Sequence, residues 1–183
     1  MQQYLDSIRL SLTTSNYFGA IAMALTLPDI CASIEAEDNE TNRNRYCAWF
    51  DKYLGSTYTI ERPLKEDGEK DIILFSAKEC YAARCSFLHQ GTNITSHQKI
   101  LKGIEKAALS VSFMANTMIR KASRNDHEVK LDVNSFCQNM INAVEKWIED
   151  NKSNEIIYDK IMKLPDVYIG TESLPFVHTL KPR

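Results

Sequence analysis

The strongest constraint on the fold of this chain is a wide apolar stripe between residues 134 and 151. Apolar side chains recur there every three or four residues, which matches the 3.6-residue repeat of an α-helix. The members of the stripe are Phe136, Cys137, Met140, Ile141, Val144, Trp147 and Ile148. Because so broad an apolar face must be covered by other elements, the stripe predicts a helix that packs inside a helical core.

Similar apolar spacing predicts five further helices. Pro28 has no backbone donor, so we expect the second of them to be kinked or divided there. Ser76 and Glu79 form a capping-box pattern that begins the fourth helix, and Gly91 ends it. An aromatic stripe in the third helix, interpreted as core, consists of Tyr46, Trp49, Phe50 and Tyr53. The predicted helices cover residues 4–12, 17–34, 46–55, 77–90 and 154–163.

A small β element is predicted between residues 107 and 133. The segments 107–114 and 128–133 have strand-like sequences, and a polar, basic segment joins them, so we interpret them as an inserted β-hairpin. With 6 Gly and 5 Pro in 183 residues, the chain lacks the turn residues of a β-sandwich or barrel. We therefore predict a mainly α fold in a single domain, 1–183, with a C-terminal tail over 164–183.

Charge and cysteine content restrict the possible functions. The 22 basic and 24 acidic residues give a net charge of −2, so any nucleic-acid site must be a local patch. Five dispersed cysteines without a C-x-x-C pair indicate reduced, buried thiols, and we predict no metal site. The sequence starts with no recognisable secretory signal, and its longest apolar run is about eight residues, too short to span a membrane. We expect a cytoplasmic protein that does not contact membranes.

The segment from Cys80 to Gly91 is the most informative part of the chain, because common nucleotide-binding, metalloprotease and hydrolase motifs are missing elsewhere. On a helix, Arg84 falls within an apolar stripe, where a cation needs a partner, a cavity or an interface. His89 lies at the helix end, about 140° from Arg84 in an ideal helix. Slight unwinding there would turn His89 toward Arg84, and Tyr81 lies between them.

Arg84 and His89, followed by Gly91 near the end of a helix, resemble the R-x4-6-H signature of the HEPN superfamily. That family is named for its occurrence in higher eukaryotes and prokaryotes and its nucleotide-binding association. Its members are four- or five-helix up-and-down bundles, and many are metal-independent endoribonucleases of toxin–antitoxin, abortive-infection and other defence systems. The resemblance covers residues 16–150 approximately, and it implies an up-and-down bundle of four to six helices.

The resemblance also implies a set of functional residues and partners. Arg84 and His89 would form the catalytic pair, completed by a second copy in a homodimer, without cofactor. The residue after the arginine, often Asn, Asp or His in the family, is Cys85 here. RNA, with tRNA as one candidate, would be cleaved to a 2′,3′-cyclic phosphate and a 5′-hydroxyl, and an antitoxin or regulatory protein is a further possible partner.

From the residues themselves, Tyr81 and Cys85 are expected to line the site. Arg120, Lys121 and Arg124 are the candidates for contact with the RNA backbone, although a solvated loop would have the same composition. A second basic cluster, Lys99, Lys102 and Lys106, would extend such a patch if it lay along one helical face.

Three other interpretations stay open at this point. The chain could be a catalytically silent HEPN-like module that binds a partner protein or a nucleotide, with Arg84 held in an internal ion pair and His89 turned away. It could be an unrelated helical interaction domain. Cys85 and His89, four residues apart, could also form a thiol–imidazole pair or half of a metal site.

Overall fold

The computed structural model of the protein describes residues 1–62, 71–104 and 107–165, and within these ranges the chain is mainly helical. The predicted C-terminal tail lies outside the described residues from position 166 onward. The helices are α1 (Gln2–Thr13), α2 (Tyr17–Glu35), α3 (Arg43–Leu54), α4 (Ala77–Gln90), α5 (Val133–Asn151) and α6 (Glu155–Met162). Each of the predicted helices forms, with bounds that differ from the prediction by a few residues.

Helix α2 passes through Pro28 as one continuous helix. Since proline has no amide hydrogen, the carbonyl of Ala24 loses its usual partner in that turn. The buried hydroxyl of Tyr46 on α3 donates to the neighbouring carbonyl of Leu25, 3.2 Å away, and so satisfies part of the disrupted turn. The proline therefore interrupts the helical hydrogen bonds where α3 packs against α2.

The core is formed where the apolar faces of the helices meet. The four residues of the aromatic stripe on α3 are all buried, which confirms their interpretation as core. The apolar stripe of α5 is buried as well, with Ile148 partly exposed at its end. The indole of Trp147 on α5 donates to the carboxylate of Glu35 at the end of α2, 2.8 Å away, so the large ring is buried without losing its hydrogen bond.

Two small sheets accompany the helices. Strands β1 (Thr59–Ile60) and β2 (Ile72–Ile73) form an antiparallel pair. Strands β3 (Ser110–Met114), β4 (Ala122–Arg124) and β5 (Glu128–Asp132) form a second sheet in the order β3-β5-β4.

The predicted hairpin between segments 107–114 and 128–133 is wrong in its topology. The two segments do pair, but β3 and β5 run parallel, with Val111 opposite Val129. The hairpin is instead formed by β4 and β5, and the Asn125 side chain accepts from the amides of His127 and Glu128 at its turn. The basic joining segment, interpreted as a loop, supplies this extra strand.

Among the described helices, only α2 is long and apolar enough to cross a membrane. Half of its apolar window is buried inside the fold, as in the core helix of a soluble protein. Its polar residue Asp29 also faces the interior, where it pairs with Arg84 on α4. The expectation that no segment spans a membrane rests on this burial rather than on the length of the apolar run.

Candidate functional site

Helix α4 positions the two residues of the R-x4-H motif. The Ser76 hydroxyl accepts from the Glu79 amide while the Glu79 carboxylate accepts from the Ser76 amide, so the predicted capping box forms. At the other end, Gly91 is left-handed at φ 62°, and its amide donates to the carbonyl of Ser86, five residues back. An α-helix uses four residues for this bond, so the last turn, which carries His89, is wider than a regular turn.

Arg84 and His89 meet in the structure despite their angular separation on an ideal helix. Nη1 of Arg84 lies 2.8 Å from Nε2 of His89. A guanidinium group can only donate hydrogen bonds, so Nε2 of His89 is the acceptor and the imidazole is neutral, with its proton on Nδ1. In this arrangement the lone pair of Nε2 is engaged by Arg84, so Nε2 can accept a proton only once Nη1 has moved away.

The partner of Arg84 inside the protein is Asp29 on α2, which the sequence analysis missed. Nε of Arg84 donates to Oδ2 of Asp29 over 2.9 Å, and the two side chains are only 23% and 14% exposed. Burial raises the pKa of Asp29, and the nearby Arg84 offsets this only in part. Burial alone would lower the pKa of Arg84, but its interactions with Asp29 and Cys85 outweigh it and raise that pKa. Arg84 therefore keeps its positive charge.

The sequence does contain a signal for Asp29. It is the only charged residue between Tyr17 and Ile34, and it directly follows the internal proline of α2. A single carboxylate in an otherwise apolar helix needs a cationic partner, just as Arg84 does in α4. Pairing the two isolated charges would have predicted that α2 and α4 are neighbours.

Tyr81 and Cys85 lie in the wall of a cleft beside the pair. Sγ of Cys85 is 4.0 Å from Nη1 of Arg84. The ring of Tyr81 packs edge-on against Tyr46, with ring centroids 5.2 Å apart. Burial, followed by the Cys85 thiol, raises the pKa of Tyr81, so its hydroxyl is associated with Cys85 rather than bridging Arg84 and His89.

This cleft has a volume of about 590 Å³. Its walls come from the start of α3, from α4, and from the segment that follows α4. The lining residues are Asn42, Arg43, Asn44, Tyr81, Cys85, Gln90, His97, Gln98, Lys99 and Ile100.

The three residues predicted to contact RNA have different surroundings. Arg120 and Lys121 are exposed, next to the start of α5, where the Arg120 carbonyl accepts from Ser135. Nη1 of Arg124 is 2.8 Å from the buried carboxylate of Glu79, so this guanidinium holds the sheet against α4. The charge of Arg124 is therefore engaged inside the fold.

The second basic cluster does not form the predicted helical face. Lys99 begins a short 3-10 helix that ends at Leu101, and Lys102 follows it in extended conformation. Lys106 lies outside the described residues.

No group of three His, Cys, Asp or Glu side chains that could hold a metal ion occurs in the described part of the chain. Nε2 of His89 is engaged by Arg84 rather than by the Cys85 thiol. Comparisons with models of protein families, with curated proteins and with solved structures return no match. Chemically, the site combines a fixed cation, a neutral imidazole and an adjoining cleft.

Proposed function

We propose that the protein is a HEPN-like, metal-independent endoribonuclease. The observation that carries this proposal is the contact of 2.8 Å between Nη1 of Arg84 and Nε2 of His89 at the edge of a cleft. The motif residues are thus brought together although helical geometry alone would separate them. In the proposed setting, the protein folds as a single HEPN-like up-and-down bundle, is cytoplasmic and acts in a toxin–antitoxin or defence system.

In the proposed reaction, Nη1 of Arg84 turns from His89 to the incoming phosphate, and the freed Nε2 of His89 accepts the proton of a ribose 2′-hydroxyl. The 2′-oxygen then attacks the adjacent phosphorus, the bond from phosphorus to the 5′-oxygen breaks, and the products are a 2′,3′-cyclic phosphate and a 5′-hydroxyl. The guanidinium of Arg84 stabilises the charge that develops on the phosphate oxygens. Its Nη2 group has no partner among the described residues, so two N–H donors are available for this task.

The leaving 5′-oxygen needs a proton from a second group. One imidazole cannot serve both sides of the phosphorus at once, so we place a second copy of His89, in its protonated form and from the other subunit of a homodimer, in this role. An antitoxin or other regulatory protein would then act by covering this paired site.

The proposal is tested by incubating the protein with tRNA and with total RNA in EDTA and mapping the product ends. Cleavage to 2′,3′-cyclic phosphates by the wild type, and its loss by at least about a hundredfold in His89→Ala and Arg84→Ala, is expected. His127→Ala and Arg9→Ala change an exposed histidine and a surface arginine elsewhere, so both should cleave like the wild type. Equal cleavage by all variants would refute the assignment.

The alternative is a catalytically silent HEPN-like module that binds a protein or nucleotide. It is favoured by the ion pair between Arg84 and Asp29, since an internal carboxylate compensates the charge that would otherwise act on phosphate. Under this alternative, a folded wild type would cleave neither RNA preparation.

A further inference from the structure

The cleft next to Arg84 and His89 has an unusual charge distribution for this protein. Its cationic lining residues are Arg43 and Lys99, and none of the described residues in its walls is an Asp or Glu. The chain as a whole carries a net charge of −2, so this local excess of positive charge is not a property of the general surface.

Arg43 and Lys99 differ from other basic residues near the site because they form no ion pair with the described carboxylates. Arg84 is paired with Asp29, Arg45 with Asp38, and Arg124 with Glu79. Arg43 is also the first residue of α3, whose dipole adds positive potential at the same place.

The walls of the cleft are held in place by hydrogen bonds. The Gln98 side chain donates to the Ser86 hydroxyl on α4 over 2.9 Å, and Nε2 of His97 lies 2.6 Å from Oε1 of Gln90. The Asn42 side chain accepts from the first amides of α3. Lys99 and Arg43 therefore project from anchored segments on opposite sides, and the cleft exists before any ligand arrives.

The cleft is continuous with the catalytic pair. Cys85 lines it and lies 4.0 Å from Nη1 of Arg84, and Gln90 lines it directly after His89. A strand whose phosphate reached Arg84 would thus place its neighbouring nucleotides in the cleft. The Asn44 side-chain amide, Nε2 of Gln90 and Oε1 of Gln98 take no part in these wall contacts and offer donors and acceptors to unpaired bases.

We propose that this cleft binds the single-stranded RNA segment adjoining the cleaved phosphate, with Arg43 and Lys99 each neutralising one backbone phosphate. This inference rests on the proposed ribonuclease function, because it supplies the substrate path of that site. It moves the main RNA contact away from Arg120 and Lys121, which lie near the start of α5. A cleft that contacts bases at only a few positions gives affinity with limited sequence preference.

The test measures binding separately from cleavage, in the His89→Ala background. A labelled ten-nucleotide RNA is titrated at several salt concentrations, and binding is followed by fluorescence anisotropy. Arg43→Gln and Lys99→Gln should each weaken binding about tenfold and reduce the slope of log K against log salt by about 0.7, the value for one phosphate contact on a single strand. Lys146→Gln, which neutralises an exposed lysine on α5, is the matched control and should bind like the parent.

Each outcome bears on a different proposal. If the parent binds RNA and the two cleft variants bind equally well with an unchanged salt slope, the cleft proposal is overturned, while the cleavage assay still decides the ribonuclease function. Absence of RNA binding by the parent at low salt also overturns the cleft proposal. If the cleft variants lose affinity but the wild type cleaves nothing, the cleft binds RNA and the ribonuclease proposal alone fails. Unchanged thermal unfolding of each variant shows that the effect is on binding.

Discussion

Arg84 joins two residues that would otherwise be unrelated in the fold. Its Nε donates to Asp29 on α2, and its Nη1 donates to His89 at the end of α4. A single guanidinium therefore connects the packing of two helices to the position of the imidazole. Under the proposed function Asp29 would be a positioning residue, because it contacts Arg84 and does not line the cleft.

The ionisation of Asp29 should leave a signature in the pH dependence of stability. Its pKa in the folded protein is raised, first by burial, above the value of about 3.9 in an unfolded chain. The wild type therefore loses stability as pH rises from about 3.9 through the folded pKa, because the buried carboxyl must give up its proton. Asp29→Asn has no such loss, so its free energy of unfolding should rise relative to the wild type from pH 3 to 6.

A carboxylate with the opposite shift provides the control. The Arg45 guanidinium beside Asp38 lowers the pKa of that exposed carboxyl. Stability from Asp38 is present above about pH 3.9 and is lost as pH falls through the lowered value, so Asp38→Asn should become less stable relative to the wild type as pH rises. Urea denaturation from pH 3 to 6 measures both series. Slopes of the same sign would contradict the assignment of opposite shifts to the two carboxyls.

The proximity of Arg84 and His89 is predictable from the sequence because the motif and the helix end lie within one short segment. Arg84 is a cation among apolar residues, and it can reach His89 only if the last turn of the helix is partly unwound. The hydrogen bond from the Gly91 amide to the Ser86 carbonyl, five residues back, produces this wider turn. Asp29 and Arg43 belong to other helices, and their approach to α4 depends on packing that a single sequence does not encode locally.

At the scale of elements, α4 holds the three-stranded sheet through Glu79. One carboxylate oxygen of this buried residue accepts from the amide of Ala108 at 2.9 Å and lies 2.8 Å from Nη1 of Arg124. The other accepts from the amide and the hydroxyl of Ser76. A residue that the sequence identified only as part of a capping box therefore also fixes the sheet to the helix that carries Arg84 and His89.

We expect Glu79→Ala to lower the free energy of unfolding by about 3–5 kcal/mol, because it removes the carboxylate that pairs with the largely buried guanidinium of Arg124 and accepts from two backbone amides. Glu79→Gln retains an acceptor for these amides and should cost less. Urea denaturation followed by far-UV circular dichroism measures both changes. Glu149→Ala, at an exposed residue of α5, should change the stability by less than about 0.5 kcal/mol. A similarly small effect of Glu79→Ala would show that the sheet is held by its apolar contacts alone.

The helices were predictable from the sequence and the sheet topology was not. Each helical segment has apolar residues at the helical repeat, as in the stripe of α5, so the sequence alone identifies the face that packing buries. For β3 and β5 the strand segments were recognised, but their direction depends on β4, a three-residue strand that is too short to show a pattern. Ala122–Arg124 occupies one edge of β5 as an antiparallel strand, and β3 pairs with the opposite edge in parallel.

At the scale of the whole molecule, the surface near Arg84 and His89 carries an exposed aromatic side chain. Phe18 at the start of α2 is 66% exposed, and it stacks on Phe87 of α4 with ring centroids 4.6 Å apart. Phe87 lies nearly one helical turn beyond Arg84. An apolar surface in this position is suited to the subunit contact that would bring two copies of the catalytic pair together.

We therefore expect the wild type to be a homodimer and Phe18→Glu to be a monomer with at least tenfold lower cleavage, because a buried carboxylate opposes association and the second imidazole is lost. Leu10→Glu is the matched control, since Leu10 on α1 is 65% exposed and lies away from α4. It should remain dimeric and active. Sedimentation equilibrium and the cleavage assay on the same samples measure the two effects, and thermal unfolding verifies the fold of each variant. A monomeric wild type that cleaves RNA would instead mean that one copy provides both the acid and the base, and the group protonating the 5′-oxygen would have to be sought within a single chain.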